Sequence, residues 1–312
     1  MTQPDLLEKF EGGLLGHALG DAIGEMAFDH PTRDLLTNAL REYPLYVYTD
    51  DTAMALGLAQ SLIEAGTVEP EQLGKTFQSE FFREPLRGYA PGPPTIFQEV
   101  AEKGRPFVEV AASLFNGTGS YGNGGAMRVT PAGLFFCDNP DDDLYSQVEQ
   151  ATRVTHTHAL GVEGAVLVAR LVALVVPLKP SALDPFDTLD VLGRIVREKT
   201  YQQAIKNIHK LLREDLPTNE AVKVLGTNVM AHHSVPFALY SFLSKPEDVV
   251  ECLMQTILVP GDRDTVGAMV GGLLGSYHGY KSLPEQWLGK LENAAFIKEK
   301  ASLLWSRKLQ KS

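Results

Sequence analysis

Apolar residues return every three to four positions along most of the chain, and apolar/polar alternation is scarce. After Asp264, the residues Val266, Met269, Val270, Leu273, Leu274 and Tyr277 share one helical face, and Gly279 stands where such a helix stops. From Asp51 to about Glu64, Met54, Leu58, Ala59, Leu62 and Ile63 make a second stripe. The same period predicts helices over about residues 5–19, 71–82, 157–176, 187–197, 201–213, 234–243 and 247–258. The longest apolar run, Ala165 to Leu178, is broken by Arg170 and preceded by Glu163. It is too short for a membrane span of about 20 residues and reads as a helix buried in a helical core.

Glycine recurs inside two of these stripes, at Gly12, Gly13, Gly16 and Gly20 and again at Gly267, Gly271, Gly272 and Gly275. Each costs a helix about 1 kcal/mol relative to alanine, so their repetition predicts close backbone approach. The string GGLLG occurs in both, at Gly12–Gly16 and Gly271–Gly275, as two core helices with the same packing problem. No linker divides the chain, and Lys179–Phe186 reads as a surface loop. The expectation is one all-α domain over residues 1–312.

Composition narrows the function. The 28 basic residues against 39 acidic ones give a net charge of −11, which argues against binding to nucleic-acid backbone. Forty-four per cent of residues are hydrophobic, enough for a large core. The two cysteines, Cys137 and Cys252, have no metal or disulfide spacing and read as buried thiols in a reducing compartment. Asp5, Glu8, Glu11 and Asp21 interrupt any secretory signal at the start. A soluble, cytoplasmic, monomeric protein with no membrane partner is expected.

Two acidic doublets open predicted helices beside threonine: Thr49-Asp50-Asp51-Thr52 and Asp262-Arg263-Asp264-Thr265. One carboxylate at a helix start is ordinary capping. Adjacent carboxylates repel, however, and a cap needs only one acceptor. If the doublets converge, four carboxylates carry the charge that two divalent cations neutralise. Hard oxygen donors of this kind select magnesium, manganese or calcium over zinc.

Phe115 to Gly125, FNGTGSYGNGG, formally contains GxGxxG. No strand pattern precedes it, NGGAMRVTPAG after it does not open a helix, and the acids Asp141–Asp143 further on sit in a predicted polar loop. A dinucleotide fingerprint is therefore rejected. What remains is a loop able to offer backbone N–H groups to an anion, with Phe115 and Tyr121 free to stack on a ring. The stretch from Arg87 to Thr95, RGYAPGPPT, is a second such loop ahead of a predicted helix. Together they suggest a nucleotide-diphosphate ligand. His156/His158 and His232/His233 are spaced to point apart on a helix, which argues against a metal cluster.

Seven motifs in order then make a resemblance explicit: GHALGDAIG at Gly16–Gly24, YTDDTAMA at Tyr48–Ala55, RGYAPGPPTIF at Arg87–Phe97, NGTGSYGNGGAMR at Asn116–Arg128, THTHALG at Thr155–Gly161, SVP at Ser234–Pro236 and GDRDT at Gly261–Thr265. The chain resembles the ADP-ribosylglycohydrolases, most closely the branch that cleaves serine-linked ADP-ribose and poly(ADP-ribose). The resemblance implies an orthogonal helix bundle around two Mg²⁺ ions, with Mn²⁺ a substitute. It implies that Thr49, Asp50 and Asp51 hold one ion and Asp262, Asp264 and Thr265 the other, with Asp264 bridging. The loop containing Gly88, Tyr89, Gly92 and Thr95 would hold diphosphate. Phe115, Gly119, Ser120, Tyr121, Gly122 and Asn123 would contain adenosine and the distal ribose, with His156 near that ribose.

The implied activity is hydrolysis of an ADP-ribose glycosidic bond, with Asp50 or Asp51 assisting water. The alternative is a non-catalytic ADP-ribose-binding or structural protein on the same fold. Relatives carry a glutamate on a mobile flap where Phe28 stands here, leaving Glu25 and Asp29 as the candidate acids. Arg263 is also unusual between the two aspartates, and backbone alternation would turn it outward.

Overall fold

Glycine spacing decides the centre of the molecule, a computed structural model that describes residues 3–311. The helix Gln3–Asp29 runs antiparallel to the helix Arg263–His278, with Gly12, Gly16 and Gly20 meeting Gly275, Gly271 and Gly267. A β-carbon on Gly20 would lie 1.9 Å from the Gly267 carbonyl oxygen, and one on Gly275 1.8 Å from that of Gly12. Nothing larger than hydrogen fits. The seam ends at Gly24, whose β-carbon would come within 2.6 Å of Asp264 Cα. The two GGLLG strings thus solve one packing problem against each other. The expected end at residue 19 is corrected to Asp29, because this contact offsets the glycine penalty and keeps the later turns helical.

Other helices wrap this pair. Asp50–Ala65 packs on Pro70–Arg83 and on the C-terminal helix Ala294–Lys311. Ala159–Val175 is the buried helix expected from its apolar run, enclosed by Asp141–Arg153, Thr130–Phe135 and Ala231–Ser244. Pro185–Ile195, Lys199–Arg213 and Val249–Ile257 match their predicted segments within a few residues. Among the described residues there are no strands, only isolated bridges at Tyr46–Leu291 and Gly122–Met230. No described helix is long and apolar enough to cross a membrane.

Several helices escape the sequence pattern. Arg33–Glu42 buries only Leu36, Ala39 and Leu40, and Thr218–Leu225 only Ala221 and Leu225, stripes too narrow to recognise. Asp141–Asp143 are corrected from a loop to the first turn of a helix, where acidic side chains suit the dipole. The segment after the glycine loop does form helix, as the short turns Gly124–Met127 and Thr130–Phe135. Cys252 is buried as expected, whereas Cys137 is partly exposed.

Gly20→Ala should lower thermal stability by about 3 kcal/mol through overpacking at the seam. Gly193→Ala, in an exposed helical position whose nearest new neighbour is 4.0 Å away, should instead raise it by up to about 1 kcal/mol. Melting temperatures of the two variants check both signs.

Candidate active site

The site is assembled at helix starts. Thr49 caps Asp50–Ala65, its hydroxyl accepting from the Asp51 N–H at 3.4 Å. That puts Asp50 and Asp51 on the first turn, where free N–H groups face outward. The turn is held from behind by Asp21, a fully buried carboxylate that the sequence pattern did not single out. Asp21 accepts from Thr49 N–H at 3.0 Å, Thr49 Oγ1 at 2.8 Å, Thr52 N–H at 3.0 Å and Thr52 Oγ1 at 2.6 Å. Since Asp21 lies one turn before Gly24 on the glycine-lined face's helix, the central seam also fixes this turn.

The second doublet comes from the other seam helix. Asp262 is its N-cap and Asp264 lies in its first turn. The Asp262 N–H donates to Thr227 O at 2.7 Å, and Gly261, at φ 135°, passes so close to Thr227 that any side chain would clash. Asn123 Nδ2 donates to Asp262 Oδ2 at 2.6 Å and to Ser234 Oγ at 3.1 Å, tying the glycine loop and the SVP motif to this doublet.

Both doublets line one cleft of about 750 Å³, together with Gly88, Gly92, Phe115, Gly119–Asn123, His156 and Thr265. Sequence reasoning missed Thr118, Met127, Val229 and Met230 on its walls, residues with no chemical signature of their own. Phe115 reaches the rim through two successive left-handed residues, Phe115 at φ 53° and Asn116 at φ 59°, a conformation that only surrounding structure can hold. The loop closes by Gly119 N–H donating to Leu114 O at 3.1 Å.

Clustered carboxylates raise one another. Burial, then the neighbouring charges of Asp21 and Asp264, pushes Asp50 up to about 8. Burial and Asp264 push Asp262 up to about 7. Asp21 also rises to about 7, burial outweighing the hydrogen bonds from Thr52 and Thr49. Asp51 rises for the same reasons, and its Oδ1 is buried with no hydrogen-bond partner. Among the described residues no three acidic, histidine or cysteine side chains are yet gathered as ligands of one ion. Two oxygens are instead spent on neighbours: Asp262 Oδ2 on Asn123 and Asp264 Oδ1 on the Thr265 N–H at 2.8 Å.

The RGYAPGPPT loop carries one cation, and it is already committed. Arg87 pairs with Glu292 at 2.7 and 3.0 Å, with Glu84 at 3.1 Å and with Tyr48 O at 3.0 Å. It anchors the loop, so that Gly88 at φ 91° brings its backbone beside Asp50, and leaves any anion to backbone N–H groups. Two expected contacts are corrected. Tyr89 turns into the core, edge-on to Phe81 at 5.1 Å, and Thr95 sits in the helix Gly92–Lys103 with its hydroxyl on Pro91 O at 2.8 Å. Neither lines the cleft.

A family model described as ADP-ribosylglycohydrolase matches residues 2–311. The chain belongs to the ADP-ribosylglycohydrolase family. Among curated relatives, the ADP-ribosylhydrolase ARH3 of Homo sapiens is 34% identical, covering 90% of this chain and 88% of that one. The ADP-ribosylhydrolase ARH3 of Xenopus tropicalis is 33% identical, covering 97% of both. A solved structure described as an ADP-ribosylglycohydrolase-related protein complex superposes with a TM-score of 0.74 at 22% identity, over 98% of this chain and 99% of that one. It shares the fold.

In this member of the family, residues 25–29 end the N-terminal helix rather than forming a separate flap, and Phe28 is exposed there. Glu25 lies one turn beyond Asp21. Its carboxyl is raised by burial and by the charges of Asp264 and then Asp29, but the residue is exposed and off the cleft wall. Asp29 is exposed and also off the cleft. Arg263 does turn away, donating from Nη1 to Ala27 O at 2.5 Å at the end of the first helix.

Asp21→Asn replaces an all-acceptor group facing four donors with one that presents two N–H bonds of its own. It should cost about 3 kcal/mol in unfolding free energy, since at least one buried donor then lacks a partner. Urea denaturation of the purified variant reads this, and an unchanged midpoint would show that Asp21 does not hold the turn.

Proposed function

We propose that the chain is a magnesium-dependent hydrolase of the bond between C1″ of ADP-ribose and an acceptor: a serine or arginine side chain, poly(ADP-ribose) or a small-molecule conjugate. The observation that carries this is the meeting of two helix-start aspartate doublets in one cleft with two glycine loops. Thr49, Asp50 and Asp51 would hold one ion and Asp262, Asp264 and Thr265 the other. The unpartnered Asp51 Oδ1 and the upward shift of the carboxyls fit a doubly charged guest. Bound there, magnesium supplies a Lewis acid that orients ribose hydroxyls and makes water a better nucleophile.

The chain's own groups do the rest. Gly88, Gly92 and their neighbours face diphosphate with backbone, while Phe115 and Tyr121 flank a ring. Cleavage through an oxocarbenium-like transition state benefits from a carboxylate near C1″ and from a base for the attacking water. Asp50 or Asp51 takes that proton. Glu25, whose carboxyl is raised by burial and by the charge of Asp264, is the acid we assign as donor to the leaving oxygen in preference to Asp29. Manganese, having the same hard-oxygen preference, should substitute.

Asp50→Ala and Asp262→Ala should each abolish both magnesium binding by calorimetry and ADP-ribose release from serine- or arginine-linked substrate; full turnover in either would overturn the assignment. Glu25→Gln should lose at least about tenfold in kcat while Asp29→Asn keeps wild-type rates. Tight ADP-ribose binding without release of any acceptor would favour a binding protein instead.

The charge cluster also predicts a pH dependence. The folded carboxyls titrate above the 3.8 of a free aspartate, so as pH rises the unfolded chain loses protons first. Stability of the chelator-treated protein should therefore fall from about pH 4 to about pH 8, and the gain in Tm on adding magnesium should grow over the same range. A magnesium gain that shrinks with rising pH would contradict the proposed ligands.

A further inference from the structure

Among the described residues Arg128 is the largest fully buried side chain; it feels the charge of Asp50 but forms no ion pair with any carboxylate among them. Its Nη2 donates to Thr155 Oγ1 at 2.7 Å, with longer contacts to the carbonyls of Ala151 and Thr152 at the end of the helix Asp141–Arg153. Its plane lies over Phe77, 4.8 Å from guanidinium carbon to ring centre. Thr155 Oγ1 is in turn 2.8 Å from His156 Nδ1. His156 lines the cleft, and its other nitrogen, Nε2, has no protein partner among the described residues.

The direction of this chain follows from proton counting. A guanidinium is a donor only, so the Thr155 oxygen accepts from it. The arrangement that leaves no hydrogen unused gives the Thr155 hydroxyl proton, which has no other acceptor among the described residues, to an unprotonated His156 Nδ1. A neutral imidazole with a bare Nδ1 carries its proton on Nε2. Burial, and next the positive charge of Arg128, also hold the ring neutral, pulling His156 down to about 3. Gly124 packs directly on the ring edge: a β-carbon there would meet Cε1 at 2.6 Å and Nε2 at 2.8 Å.

We propose that Arg128 and Thr155 are positioning residues that lock His156 as a neutral Nε2–H donor aimed into the cleft, so that it hydrogen-bonds an acceptor oxygen of the ligand and does not serve as a general base. The ligand part of this rests on the ADP-ribose reading; the tautomer does not. An oxygen with a lone pair, such as a ribose hydroxyl or ring oxygen, is what such a group recognises, and it rejects a ligand presenting a bare N–H there.

The test starts from ligand-free full-length protein labelled with nitrogen-15 histidine at pH 7, the His156 signals being assigned by their loss in His156→Gln. The expected spectrum shows an unprotonated Nδ1 and a protonated Nε2. Thr155→Val, of the same shape, should mix or reverse the tautomer and weaken ADP-ribose binding roughly tenfold by calorimetry, the worth of one hydrogen bond. Thr155→Ser should restore both. Conversely, a native Nδ1–H ring, or a Thr155→Val protein with the same tautomer and the same affinity, would overturn the relay. A native Nε2–H ring that Thr155→Val disturbs, in a protein that binds no ADP-ribose, would support the relay and overturn the substrate instead.

Discussion

Everything at the site depends on two helices touching through hydrogen atoms. The helices Gln3–Asp29 and Arg263–His278 approach so closely along their glycines that a single methyl group would overlap a carbonyl oxygen. Interior glycines are costly to a helix, and the contact that repays them also sets geometry. One helix brings Asp21, which grips the Thr49–Thr52 turn; the other begins at the second doublet, with Gly24 packed on Asp264 itself. The distance between the two acidic groups is therefore a property of backbone packing, not of flexible side chains.

This rigidity allows a high density of negative charge. Asp21, Asp50, Asp51 and Asp262 are all raised by burial and by one another, a cost that an ordinary core would avoid. Positive side chains do not answer it directly: Arg87 is tied to Glu292 and Glu84, Arg263 to the end of the first helix, and Arg128 lies beneath the floor, where it acts on Thr155. The cleft is thus acidic where the aspartates line it and formed elsewhere by the two glycine loops. On the proposed reading, that combination would suit a guest made of cations and an anionic diphosphate, so a net charge of −11 does not argue against an anionic ligand.

Helices with broad apolar faces, such as Ala159–Val175 and Arg263–His278, were legible because their periodicity covers several turns. Arg33–Glu42 and Thr218–Leu225 were not, since each buries two or three small apolar patches and leaves the rest to water. Within the site, the aspartate doublets announced themselves, as charge beside charge at a helix start has few structural uses. Asp21 did not. A lone acid in a helical segment looks like a solvated one until the turn it holds, about thirty residues away, is seen to fold onto it. Tyr89 was assigned to ligand by its neighbours in the loop, yet its ring is drawn inward by Phe81.

The sequence by itself determined the helical class, the family, the acidic doublets and the two glycine loops, because these reside in local spacing and in motifs that are contiguous along the chain. Only the tertiary structure decided that the glycine strings face each other, that Arg87 and Arg263 point away from the cleft, and that a buried arginine reaches His156 through a threonine. Those facts depend on which distant segments meet. Burial and proton direction are properties of such meetings, and they have no period along the chain from which to be read.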